Sequence, residues 1–109
     1  MEHGGFVYLI CDPYRNLYKI GVSKNEVDKR LNQLQTGNAS ELHVTNYYKT
    51  DYPYRIETML HNFLKPKNVL NEWYDLTLDD VLNFTNMCIQ AEDIIDALKD
   101  NPHFNKDLK

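Results

Sequence analysis

Two short apolar runs open the chain, and the spacing of hydrophobic positions then changes from strand-like to helical. Phe6-Val7-Tyr8-Leu9-Ile10-Cys11 is β-branched and aromatic, and it stops at Asp12-Pro13-Tyr14-Arg15-Asn16, which is dense in turn formers. Leu17-Tyr18-Lys19-Ile20-Gly21-Val22 follows at once, so the pair predicts a β-hairpin. With a turn of about four residues, a common hairpin length, Tyr8 is expected roughly opposite Lys19, both side chains on one face. Ser23 with Glu26 three positions later is a capping-box pattern, and Val27, Leu31 and Leu34 recur at helical spacing. This predicts a helix from about Lys24 to Gln35, ended near Gly37, with Lys29, Arg30 and Gln33 on its polar side.

Leu42, Val44 and Tyr48 suggest a third strand, although the alternation falters around Asn46. Asp51 is then placed to cap a helix with Pro53 in its first turn, where a missing N–H costs little. Ile56, Met59, Leu60 and Phe63 form that helix's apolar stripe, and Pro66 stops it. Lys65 to Asn71 reads as a polar loop, and Asn71-Glu72-Trp73-Tyr74-Asp75-Leu76 as an aromatic segment packing back on the domain. Thr77 with Asp80 is a further cap, and Val81, Phe84, Cys88, Ile95 and Leu98 carry one long helix to about Asp100; the tail after Pro102 is polar and expected to fray. The predicted fold is α+β: a small three-stranded antiparallel sheet flanked by helices, in the order β-β-α-β-α-α.

At 109 residues and 42% hydrophobic, the chain is sized for a single domain with one modest core. The two cysteines, Cys11 and Cys88, fall in strand and helix, which argues for small core hydrophobes rather than a disulfide framework. No leader pattern or membrane-length apolar stretch is visible, so an intracellular, non-secreted protein with no membrane partner is expected, in cytoplasm or nucleus. A net charge of −4 argues at first against nucleic acid. The charge is unevenly spread, however: Met1 to Tyr74 carries 9 Lys/Arg against 8 Asp/Glu, and Asp75 to Lys109 carries 3 against 8. The acidity belongs to the C-terminal third, leaving the rest able to present a basic face. The acidic helix, with Asp79, Asp80, Glu92, Asp93, Asp96 and Asp100, would suit a basic protein partner or a homodimer, a solvated outer face being the plainer alternative.

The segment from Phe6 to Gly21 resembles the two-strand signature of the GIY-YIG nuclease superfamily, with Phe6-Val7-Tyr8 at the first motif and Lys19-Ile20-Gly21 at the second. The closer resemblance is to its T5orf172/MUG113-like branch: Tyr8, Lys19-Ile20-Gly21, Arg30, Glu57 and Glu72-Trp73-Tyr74 occur in that order. It covers roughly Gly5 to Leu76, so residues 1–76 are expected to form the catalytic core, with 77–109 an acidic helix and tail packed on the same domain. Two positions depart from the general pattern: Lys19 stands where a tyrosine is usual, and Leu34 where many members carry a histidine. The resemblance implies a metal-dependent endonuclease acting on DNA, branched or nicked substrates included, and leaving 5′-phosphate and 3′-hydroxyl ends.

Phosphodiester hydrolysis needs an in-line nucleophile, neutralisation of the non-bridging oxygens and stabilisation of the departing oxygen. Glu57 is assigned as ligand of one hard divalent cation, Mg²⁺ or Mn²⁺, which accepts one or two carboxylates plus water and phosphate oxygens. Arg30 would grip the phosphate with its planar fork, and Tyr8 would position or deprotonate the attacking water, its phenolate favoured by a facing Lys19 and the metal. Lys24, Lys29, Arg55 and Glu72 are candidate substrate contacts, and His61 and Asn71 candidate supporting residues. Each has a plainer alternative: Tyr8 a packed strand aromatic, Lys19 an edge gatekeeper, Arg30 a solvated helix residue, and Glu57 an ion pair with Arg55, Lys65 or Lys67. The alternative function is a catalytically weak nucleic-acid-binding or protein-interaction module on the same fold.

Overall fold

The computed structural model describes residues 4–99, so the expected fraying after Pro102, and Asp100 itself, lie outside the described residues. Strands β1 (Gly5–Asp12) and β2 (Leu17–Ser23) form the expected hairpin across a four-residue turn, Pro13 to Asn16. Asn16 adopts φ 55°, a left-handed conformation that asparagine tolerates better than most residues. Asp12 organises the turn: its buried carboxylate accepts from the Tyr14 and Arg15 backbone N–H groups and from Arg15 Nε at 2.7 Å. Because the turn spans residues 13–16, Tyr8 pairs with Gly21 and Lys19 with Ile10. The expectation that Tyr8 faces Lys19 directly is therefore off by two positions, one full strand period. The two side chains still share a face.

Helix α1 (Val27–Thr36) starts later than the capping-box pattern suggested. Ser23 Oγ donates to the Asn25 carbonyl instead of capping, and Glu26 is the first half-helical residue. Strand β3 (His43–Thr50) pairs antiparallel to β1 with a bulge: Leu9 faces Asn46 while Ile10 faces Val44, leaving Thr45 as the extra residue. That insertion explains the broken alternation around Asn46. Helix α2 (Pro53–Phe63) has its proline in the first turn as expected, but Asp51 does not cap it. Thr50 Oγ1 accepts the Tyr52 N–H instead.

The chief departure from the sequence-based fold follows α2. A 3-10 turn (Lys65–Lys67) leads into β4 (Asn68–Leu70) and β5 (Trp73–Tyr74), a small hairpin that adds to β2. The sheet therefore has five strands in the order β3-β1-β2-β5-β4, not three. Two strands this short carry little periodic signal of their own. Asn71, at φ 53°, makes their turn, with its carbonyl accepting from Asn68 Nδ2 at 2.7 Å. The last helix is also two: Thr77 and Asp80 form the expected capping box on α3 (Leu78–Leu82), and α4 (Phe84–Leu98) begins after a break at Asn83.

The sheet separates two apolar layers. Val7, Leu9 and Ile20 point to one side and pack with Ile56 and Leu60 of α2 and Phe84, Cys88, Ala91 and Ile95 of α4. Tyr8 and Ile10 point to the other and pack with Val27 and Leu42, with Leu31, Leu34 and Trp73 at the margin. Phe63, expected in the α2 stripe, is 74% exposed, because the helix turns that position away from the sheet. Both cysteines are free thiols, Cys88 buried and Cys11 half-buried. Several acidic groups of the C-terminal third serve this fold. Glu92 accepts from Tyr48 and Thr50, Asp96 from Tyr52, and Asp80 from Lys67. Among the described residues no helix is long and apolar enough to cross a membrane.

Candidate functional site

The short β5 pairs with β2 only at Tyr18 and Lys19, so the edge of β2 lies open from Ile20 onward. Both backbone polar groups of Ile20 point into this notch. Its N–H donates to the Glu72 carbonyl at 3.2 Å, and its carbonyl lies 2.9 Å from Nε2 of His61. Since a carbonyl can only accept, that imidazole nitrogen carries the proton. Groups from opposite faces of the sheet meet here: Tyr8 from the α1 side, Glu57 and His61 from α2 on the other.

Tyr8 reaches the notch across Gly21. A Cβ at Gly21 would lie 2.3 Å from the Tyr8 hydroxyl and 2.6 Å from Cζ, so the phenol ring rests on the bare backbone of β2. The ring is buried among Ile10, Val27 and Leu42, and the residue is only 1% exposed. The hydroxyl nevertheless senses polar neighbours. Burial pushes its pKa above the ordinary phenol value, the Arg30 guanidinium beside it works to lower it, and the charges of Glu72 and Glu57 raise it. Lys19, expected to face the phenol, has its Nζ 2.9 Å from Glu72 Oε2 and 5.6 Å from the Trp73 ring centre. Desolvation and the two nearby carboxylates thus oppose Arg30, and the balance without a cation lies above the ordinary phenol value.

Glu57 follows the buried Ile56 on α2, and His61 lies one helical turn further along the same face. Burial, followed by the charge of Glu72, holds the Glu57 carboxyl above its usual range, while His61 and Lys19 work in the opposite direction. Glu57, His61 and Glu72 each present one ligating atom, all within 4.8 Å of one another. The plainer alternative for Glu57 was an ion pair with Arg55, Lys65 or Lys67; the neighbours that the structure sets beside it are His61 and Glu72. Two carboxylates so close, with one ammonium on Glu72, suit a divalent cation in donor type and charge.

The structure thus brings Tyr8, Lys19, Arg30, Glu57 and Glu72 together with His61, a candidate supporting residue, and sets Gly21 beneath the phenol. His61 was legible as an i,i+4 partner of Glu57, but its attachment to Ile20 was not. Gly21 was legible as the end of the Lys19-Ile20-Gly21 motif, but its place under the Tyr8 ring appeared only with the register. Lys24 and Lys29 are exposed, before and on α1 respectively, and Asn71 is exposed in the β4–β5 turn. Arg55 lies over the Tyr52 ring at 5.9 Å. Arg15 sits 4.8 Å from the Trp73 ring centre while held by Asp12, which extends a cationic, aromatic surface from Lys19 along the α1 face.

These features define a small α+β domain whose polar cluster occupies the open edge of a sheet, with carboxylates, an imidazole, a phenol and two cationic side chains in one notch. The family model of the T5orf172 domain matches residues 5–89, and the chain belongs to that family. No curated protein and no solved structure gives a significant match.

Proposed function

We propose that the domain is a metal-dependent endonuclease of the GIY-YIG type that hydrolyses DNA phosphodiester bonds at the β2 notch. The observation that carries this reading is the convergence of Tyr8, Arg30, Lys19 and Glu57, from four separate elements, on one site beside a further carboxylate and an imidazole. Membership of the T5orf172 family, which the sequence motifs place beside the GIY-YIG nucleases, supports it.

In this mechanism Glu57 would hold one divalent cation, Mg²⁺ or Mn²⁺, which when bound would supply Lewis-acid polarisation of a phosphate oxygen. Arg30 places two N–H donors on the scissile phosphate. Lys19, already beside Glu72, contributes a positive charge to the non-bridging oxygens. Tyr8 accepts a hydrogen bond from the attacking water and orients it in line, its ring fixed by burial. The new water oxygen–phosphorus bond forms as the bond to the 3′ oxygen breaks, and the water's proton passes to solvent while the departing oxygen is protonated. Lys24, Lys29 and Arg55 are proposed to meet the flanking backbone phosphates.

Tyr8→Phe and Glu57→Ala are expected to abolish cation-dependent nicking of plasmid or branched DNA while the far-UV circular dichroism of the domain persists. An unmutated protein that cuts neither DNA nor RNA with any divalent metal defeats the proposal. The near-complete burial of Tyr8 favours one second reading, a nucleic-acid-binding module with weak catalysis; affinity for DNA that stays intact in the presence of metal would select it.

A further inference from the structure

Glu57 alone would be an ordinary oxygen ligand for Mg²⁺. The notch contains more. His61 lies one turn along α2 from Glu57, and Glu72 is carried in by the β4–β5 turn, so the three ligating atoms fall within 4.8 Å of one another. The His61 ring is fixed from outside this group. Its Nε2–H is engaged by the Ile20 carbonyl at 2.9 Å, and the Tyr74 ring packs beside it at 5.5 Å between centres. That leaves Nδ1 as the nitrogen with a free lone pair. A metal-bound histidine commonly gives its other ring N–H to a backbone carbonyl, which fixes the tautomer and raises the basicity of the ligating nitrogen. Ile20 also holds the Glu72 main chain through its own N–H. One residue of β2 therefore holds the side chain of His61 and the backbone that carries Glu72.

We propose that Glu57, His61 and Glu72 bind the cation together, with His61 as a direct ligand, and that the site prefers a first-row transition cation such as Mn²⁺ over Mg²⁺. This rests on the reading of Glu57 as a cation ligand given above. The preference follows from ligand chemistry. Mg²⁺ favours oxygen donors and keeps much of its water, whereas an imidazole nitrogen is a good donor to transition ions. Lys19 remains on Glu72 Oε2, so the charge left by the two carboxylates is partly offset before the cation enters.

The test uses the full chain stripped of metal. Titration with Mn²⁺, followed by the loss of the free-ion electron paramagnetic resonance signal, measures affinity, and competition with Mg²⁺ measures preference. Pulsed resonance on the bound Mn²⁺ reports nitrogen coordination through nuclear modulation. The expected result is one Mn²⁺ held at least about tenfold more tightly than Mg²⁺, with nitrogen modulation. In His61→Gln the modulation should vanish and Mn²⁺ binding weaken by about tenfold or more, at unchanged far-UV circular dichroism. Glu72→Gln, which leaves the imidazole in place, should weaken binding but keep the modulation, and it serves as the deciding variant should His61→Gln misfold. Bound Mn²⁺ without nitrogen modulation, equal affinity for the two ions, or no binding overturns the proposal. Mn²⁺ bound through nitrogen by a protein that cuts no nucleic acid would uphold this site and overturn the nuclease reading instead.

Discussion

Replacing Gly21 by alanine tests the geometry on which the site depends. The added methyl would meet Cζ of Tyr8 at 2.6 Å and the hydroxyl at 2.3 Å. A flexible side chain could swing away, but this ring is rigid and 1% exposed, held by Ile10, Val27 and Leu42. Forcing extra volume into a packed region costs about 1–3 kcal/mol. The reduced freedom of the unfolded chain offsets about 0.4–1 kcal/mol of that, leaving a net loss of roughly 1–2 kcal/mol. At about 4–8 °C per kcal/mol for a small domain, the melting midpoint should fall by roughly 5–15 °C. The assay is thermal and urea denaturation of four proteins: the parent, Gly21→Ala, Tyr8→Val and the double variant. With the shorter side chain at residue 8 the methyl has room, so Gly21→Ala should cost almost nothing in that background. The coupling energy should reach about 1 kcal/mol or more. A Gly21→Ala midpoint within about 1 °C of the parent, or an equal loss in both backgrounds, would refute the claim that the phenol reaches the notch by lying on the β2 backbone.

Further outcomes follow from the electrostatics. Burial works to raise the pKa of the Asp12 carboxyl, but hydrogen bonds from the Arg15 side chain and backbone N–H, with the charge of Arg15, hold it below its ordinary value. A depressed folded pKa means that its stabilisation is present above the unfolded carboxylate pKa of about 3.9 and lost as pH falls through the lower folded value. Asp12→Ala should therefore cost about 1.5–3 kcal/mol near neutrality, a difference that urea denaturation should show shrinking as the pH is taken into the strongly acid range. Glu57 has the opposite sign: its carboxyl is raised by burial and by Glu72, so its charge works against the metal-free fold above the unfolded carboxylate pKa. Glu57→Gln should raise the metal-free melting midpoint at neutral pH while removing cation binding; a lower midpoint would count against the carboxylate crowding. Thr77→Ala removes one half of the α3 capping box and should cost about 1 kcal/mol by chemical denaturation.

The sequence by itself determined the parts of this protein whose signals are local. The β1–β2 hairpin is written in two apolar runs around Asp12-Pro13, the N-terminal proline of α2 in Pro53, and the α3 cap in Thr77 and Asp80. The ordered set from Tyr8 to Glu72 was enough to indicate the T5orf172 family, whose model matches residues 5–89. Only the tertiary structure decided the rest. β4 and β5 have three and two residues, too few for a periodic pattern, and they exist because β2 offers them an edge. Their brevity leaves that edge open beyond Lys19, and the opening admits Glu57 and His61 from one side of the sheet to meet Tyr8 from the other. Register supplied what composition could not. By pairing Tyr8 with Gly21 it let a buried ring deliver its hydroxyl across a strand, and it set Lys19 beside Glu72. Residue types and their order are carried by the chain, but the distances between side chains remote in sequence are set by how strands align and where they stop.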